Sequence, residues 1–161
     1  MMQHVYIIVE GPSDELILSN ILDGVLGDMV KVHFYIAHGV PGIISSTRPI
    51  LDLVASDVKV IVVYDADTGD KLRAEERNDF IKSQILNGEV DERVRFIYFV
   101  PTIDCCHRYL LECSKTKRKA RDEYNATVSK YISEHKDEFL GIEQIQKIIE
   151  FVGEEKQTGD R

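Results

Sequence analysis

Long apolar runs are missing from this chain of 161 residues. None approaches the roughly 20 residues that a membrane-spanning helix needs, so a helical membrane protein is excluded. The first residues enter a strand pattern almost at once, without the zones of a secretory leader. Cysteine is scarce. Cys105, Cys106 and Cys113 are an odd count with no framework spacing, which excludes a disulfide scaffold and leads us to expect a reducing, cytoplasmic setting. Positive charge is also short. Lys and Arg number 20 against 28 Asp and Glu, for a net charge of -8. That argues against a protein that coats nucleic acid by bulk attraction. It leaves room for an enzyme that meets nucleic acid through a metal and one local basic patch. Internal repeats, low-complexity segments and linkers are absent too, so a single domain is expected.

What is present suits one sizeable core: 43% hydrophobic and 30% charged residues, as in ordinary globular chains. Strand and helix patterns alternate, which predicts βα units, a parallel sheet and an α/β fold. Strands are expected over 4–9, 31–37, 58–64 and 94–100. Pro12 fits the first turn of a helix that carries Ile17, Ile21, Leu22 and Val25, stopped at Gly24 or Gly27. Residues 38–42 read as a turn, and 43–55 as a helix bent or split by Pro49. A helix over 72–86 stops at Asn87-Gly88. Further helices are expected over 105–112, 119–135 and 141–152.

Two acidic turns stand where strands end. Glu10-Gly11-Pro12-Ser13-Asp14 follows Val5–Val9, and Asp65-Ala66-Asp67 follows Val58–Tyr64. In open parallel sheets, ligands bind at the carboxyl ends of strands, near the point where strand order reverses. Carboxylates converging there repel one another unless a cation lies between them. Such hard oxygen ligands suit Mg²⁺ or Mn²⁺.

An apolar strand, Glu10-Gly11, a helix and a later strand ending in Asp65-x-Asp67 together resemble the Toprim domain of topoisomerases, primases and certain nucleases. The resemblance covers roughly residues 4–112 and includes Gly39 after the second strand. It implies a three-layer, Rossmann-like fold with a four-stranded parallel sheet of order 2-1-3-4. It makes Glu10, Asp65 and Asp67 the metal and acid–base residues. Asp14, one helical turn beyond Glu10, resembles the extra ligand of the overcoming-lysogenisation-defect nucleases. The same resemblance makes Asp104 the carboxylate after the fourth strand. Pro12 stands where small Toprim ribonucleases and primases carry lysine, and the Gly69–Arg73 spacing is one residue short of theirs. A topoisomerase is excluded on size. The division implied is a core over 4–112 within a domain 1–152, a helical extension over 113–152 and a flexible tail 153–161.

Each residue has a plainer reading. Turns favour Gly and Asp in any α/β protein. Asp14 fits a first-turn carboxylate favoured by the helix dipole, and Asp104 a helix N-cap. Lys115, Lys117, Arg118, Lys119 and Arg121 form either a solvated face or a phosphate-backbone contact; Lys71, Arg73 and Arg77 are the other basic candidates. Cys105, Cys106, His107 and Cys113 lack the spacing of a zinc site, and buried cysteine is the ordinary reading. His38 stands beside the Gly39 turn and is a further candidate to face the site. Asp65-Ala66-Asp67-Thr68-Gly69 also resembles the haloacid-dehalogenase phosphatase motif, with Gly and Thr reversed. The function expected is metal-dependent phosphodiester hydrolysis on DNA or RNA. The opposing reading is a binding or regulatory subunit beside a separately encoded ATPase.

Overall fold

The computed structural model describes residues 1–108, 110 and 121–154. Four strands, β1 (Gln3–Val9), β2 (Val30–Ile36), β3 (Lys59–Asp65) and β4 (Val94–Phe99), form one all-parallel sheet of order β2-β1-β3-β4. The helices among the described residues are α1 (Pro12–Leu22), α2 (Val40–Leu53), α3 (Lys71–Leu86), α4 (Arg121–Glu134), α5 (Lys136–Leu140) and α6 (Glu143–Gly153), with a 3₁₀ turn at Ile103–Cys106. The protein is thus α/β, and its strand order is the one the resemblance implies.

The centre of the sheet is apolar on both sides, which is why β1 and β3 read as continuous hydrophobic runs. Val5, Ile7 and Val9 of β1 face one core with Ile61 and Val63 of β3. Ile8, Val60, Val62 and Tyr64 face the other. The first core is closed by Ile17, Leu18 and Ile21 of α1 together with Val128, Ile132, Phe139, Ile145 and Ile148 from α4, α5 and α6. The second is closed by Ile43 and Leu51 of α2 and by Ile81 and Ile85 of α3. The result is three layers, helices–sheet–helices. The C-terminal helices therefore build half of the cover on one sheet face.

Several boundaries differ from the sequence expectation. The turn at 38–42 shortens to two residues, because Gly39 is the N-cap and Val40, Pro41 and Gly42 already belong to α2. Pro49 does not split α2, which runs unbroken to Leu53. Pro49 and Ser45 are both exposed, so the Ser45 carbonyl freed by the missing N–H faces water. Asp65 is the last residue of β3 and not the first of the turn. The helix expected over 105–112 begins later, because Ile103–Cys106 is a 3₁₀ turn that ends at an extended His107; Arg108 and Leu110 are helical, and residues 109 and 111–120 lie outside the described set. The run 119–152 contains a separate short helix, α5, which five residues are too few to announce by periodicity. The tail from 155 onward lies outside the described residues.

Phe139 is fully buried in the first core. Phe139→Ala is expected to destabilise the fold by about 3–5 kcal/mol, the usual cost of such a cavity. Denaturant unfolding monitored by circular dichroism checks this. A loss below about 1 kcal/mol would show that the C-terminal helices do not share the core.

Candidate active site at the carboxyl edge

In the order β2-β1-β3-β4 the chain leaves β1 toward one edge and reaches β3 on the other side. The crevice between the carboxyl ends of β1 and β3 is therefore the topological switch point. Glu10 stands directly after β1 and Asp65 closes β3. Glu10 Oε1 accepts the Asp65 backbone N–H at 2.6 Å, which spans the crevice. Asp65 Oδ1 accepts the Ile103 N–H at 2.7 Å, which ties the exit of β3 to the segment after β4. Gly39 donates its N–H to the Glu10 carbonyl at 3.0 Å, joining the exit of β2. All four strand exits are thus held to one another around two carboxylates.

Asp14 joins them from α1. The helix begins at Pro12 behind an extended Gly11, and Asp14 Oδ2 reaches back to accept the Gly11 N–H at 2.9 Å. That is the reciprocal half of a capping box, so the first-turn reading of Asp14 is correct. The same placement brings its charge close enough to raise the pKa of both Glu10 and Asp65. Asp67 follows one residue beyond Ala66, in a left-handed conformation with φ of 56°. Its N–H donates to the Pro101 carbonyl at 2.9 Å. His38 on the β2 side is also left-handed, with φ of 60°. Non-glycine residues in this region store strain of order 1–3 kcal/mol each, and such strain gathers at functional sites. His38 is exposed and has no side-chain bond to the carboxylates among the described residues.

The backbone packing beneath the site is tight. Gly39 has φ of 99°, which side chains avoid. A Cβ on Gly42 would lie 1.7 Å from the Ala37 carbonyl oxygen, so the first turn of α2 docks on the end of β2 only through glycine. Gly42, and not only Gly39, is a residue this corner requires; its Pro-Gly context reads as a turn and hides that role.

The electrostatics follow from the crowding. Burial is the chief cause that raises Asp65 to about 7, with the Asp14, Glu10 and Asp67 charges adding to it and the Ile103 N–H opposing. Burial also raises Glu10, against the hydrogen bond from Asp65, with Asp14 and Asp67 adding. The cation that answers this charge is Arg77 on α3. Its Nη2 lies 3.4 Å from Asp67 Oδ2. Its Nε is shielded from solvent with no hydrogen-bond partner among the described residues. The neighbouring Asn78 accepts the Tyr64 hydroxyl at 2.5 Å, which fastens α3 to β3 at this level. Arg77 is the residue that sequence spacing placed only in a general basic surface; ten residues separate it from Asp67 and no motif links them.

The remaining candidates divide. Asp104 lies within the 3₁₀ turn, whose N-cap is Thr102, so the N-cap reading of Asp104 is corrected. Besides burial, the Asp14 and Asp67 charges raise Glu10, and those of Asp14, Glu10 and Asp67 raise Asp65; Asp104 instead raises Cys106, whose thiol burial pushes up to about 12. His107 bonds Glu138 at 3.1 Å and stacks on Phe139. Cys113, Lys115, Lys117, Arg118 and Lys119 lie outside the described residues, and Arg121 is the first described residue of α4. Lys71 and Arg73 are exposed at the start of α3, where Asp70 Oδ1 accepts the N–H groups of Leu72 and Arg73.

A recess of about 550 Å³ lies at the opposite, amino end of the sheet, around Gln3, Asp57 and Lys59. There Lys59 Nζ is spent on the Phe151, Val152 and Glu154 carbonyls. It closes the end of α6, so the chemistry is better sought at the carboxyl edge. Among the described residues no helix is long and apolar enough to cross a membrane. No protein-family model and no curated protein sequence matches the chain.

The raised carboxylates make stability depend on pH. A group whose folded pKa exceeds its unfolded value favours the fold below the unfolded pKa and loses that contribution as pH climbs through the folded one. For Asp65 the window runs from about 4 to about 7. Metal-free protein is expected to melt at progressively lower temperature across that window. Asp65→Asn, which keeps an acceptor for Ile103, should flatten the slope and be the more stable chain at pH 8. Thermal melts in chelator at several pH values check this. Parallel curves for the two chains would contradict the geometry.

Proposed function

We propose that the chain is a metal-dependent phosphodiesterase, a nuclease of the overcoming-lysogenisation-defect Toprim type that acts on DNA or RNA in the cytoplasm. One observation carries the reading: the Glu10–Asp65 bridge across the switch point, with Asp14 and Asp67 close enough to raise both carboxyls. The donor set fits Mg²⁺ or Mn²⁺. It is all carboxylate oxygen, and a backbone N–H fixes one oxygen each of Glu10, Asp14 and Asp65. Among the described residues nothing bonds the second oxygen of Glu10 or of Asp65. Glu10, Asp14, Asp65 and Asp67 would hold the cation, with Asp104 the reserve ligand. A bound divalent ion neutralises the clustered charge, lowers the pKa of water and polarises the phosphate.

The chain's own residues supply the rest. Asp65 cannot turn away, because Ile103 and the strand backbone hold it on both sides. In place of ligation Glu10 has a second role open to it: burial shifts it upward, closer to the range where a carboxylate works as general base, and it would then take a proton from water at the oxygen that Asp65 does not hold. Arg77, held by its Asp67 contact, places a guanidinium beside the cluster that would meet a phosphate oxygen. The basic run Lys115–Arg121 would carry the nucleic-acid backbone.

A second reading is a non-catalytic binding or regulatory subunit beside a separately encoded ATPase. Its support is that no three His, Cys, Asp or Glu side chains among the described residues already stand as an ion cage.

Purified chain with Mn²⁺ or Mg²⁺ is expected to cleave plasmid, single-stranded DNA or RNA, and Asp65→Ala should reduce cleavage to background. Mn²⁺ at about a hundred times its Kd should add about 2.7 kcal/mol. That is roughly 5–10 °C in melting temperature for a chain of this size, and Asp67→Asn should shrink the gain. A Mn²⁺ shift without cleavage would favour the binding subunit. No shift and no cleavage would overturn the metal site.

A further inference from the structure

The other chemistry on the sheet lies far from the acidic turns, on its β1–β2 half. His4 and His33 stand on neighbouring strands, two residues out of direct register, since His4 pairs with Lys31 and Tyr6 with His33. Both therefore project from the same side of the sheet. Their rings stack at 5.2 Å with an interplanar angle of 18°. Nδ1 of His4 and Nε2 of His33 are 2.9 Å apart, a hydrogen bond in which one of the two nitrogens donates. Tyr6 packs on the far side of the His33 ring at 4.8 Å and holds it in place. His4 is exposed and His33 partly so.

We infer that His4 and His33 form a bidentate surface site for a late first-row transition ion, Cu²⁺ or Ni²⁺, separate from the hard-oxygen carboxylate cluster. The distance carries the inference. Two metal–imidazole bonds of about 2.0–2.1 Å at a right angle place their nitrogens about 2.9 Å apart. That is the separation already present. Square-planar or octahedral coordination requires it, and such N-rich geometry belongs to Cu²⁺ and Ni²⁺. Both nitrogens also have to present lone pairs, so the ring that donates in the metal-free contact shifts its proton to its other nitrogen. Burial, the His4 ring and the Lys31 charge lower the pKa of His33, which keeps that imidazole neutral and competent as a ligand near pH 7. A modest turn of the exposed His4 ring aims the two lone pairs at a common point, and water completes the shell. Mg²⁺ prefers oxygen and does not compete for it.

The site has a mechanical consequence. β2 is an edge strand, and edge strands are the part of a sheet most open to loss of pairing. An ion held by one ligand from each strand staples β2 to β1, and its binding to the folded state alone adds stability.

Ni²⁺ is the probe, because it leaves the thiols of Cys105 and Cys106 unoxidised. Calorimetric titration of the full chain in millimolar Mg²⁺ is expected to show one Ni²⁺ per chain, with a higher melting temperature. His4→Gln and His33→Gln should each weaken Ni²⁺ at least tenfold and abolish the melting shift. His4→Gln touches only an exposed side chain, so it separates lost coordination from lost folding. Paramagnetic broadening in ¹H–¹⁵N spectra should centre on residues 4–6 and 31–35. The inference is overturned if wild type binds no Ni²⁺, if both variants bind as wild type does, or if broadening centres elsewhere.

Discussion

Pairing of β1 with β3, from Val5 against Lys59 to Ile8 against Val62, is the constraint from which the other features follow. These strands are buried on both faces, so their backbone bonds form where water cannot compete. Ile7, Ile8, Ile61 and Val62 have no accessible surface. At about 25 cal/mol per Å² of apolar area removed from water, such residues dominate the drive to fold. Once β1 and β3 are neighbours and β2 lies beyond β1, the strand order reverses between them. Whatever ends these two strands must meet. Here the residues that meet are Glu10 and Asp65.

Two carboxylates brought together by such a core cannot move apart when they ionise. The Glu10 bond to the Asp65 N–H and the Asp65 bond to the Ile103 N–H fix both groups in the crevice. Asp14 comes with its helix, because it caps Gly11. Asp67 comes with a left-handed turn pinned to Pro101. The fold thus spends its stability on holding four acids close, with Arg77 the cation that meets them. Proteins often concentrate strain and like charge where they bind or react. This edge does both, and the proposed hard cation would relieve it.

Much of this was legible in the residues. The apolar runs before Glu10 and before Asp65 had to be buried parallel strands, and alternation with helical periods fixed the α/β class. The acidic turns were visible because they interrupt those runs. Other parts could not be read. Pro49 announces a break, yet α2 continues, since its freed carbonyl faces solvent. Val40-Pro41-Gly42 has turn composition but forms helix, because Gly42 is needed for close approach to Ala37 and not for a bend. Phe139 sits in a helix of five residues, too short to show a period, so its place in the core is set by tertiary packing alone. Arg77 and the His4–His33 pair leave no local signal. Their partners are supplied by a different element, and only the strand order and helix docking bring them together.

The central claim is that the carboxyl edge between β1 and β3 binds a divalent cation through Glu10, Asp14, Asp65 and Asp67. Crystals soaked in Mn²⁺ and measured for anomalous scattering test it most directly. The account predicts an anomalous peak coordinated by oxygens of Glu10 and Asp65, with Asp14 or Asp67 completing the protein ligands. Well-ordered carboxylates with no Mn²⁺ between them at saturating concentration, or Mn²⁺ bound only elsewhere, would contradict it.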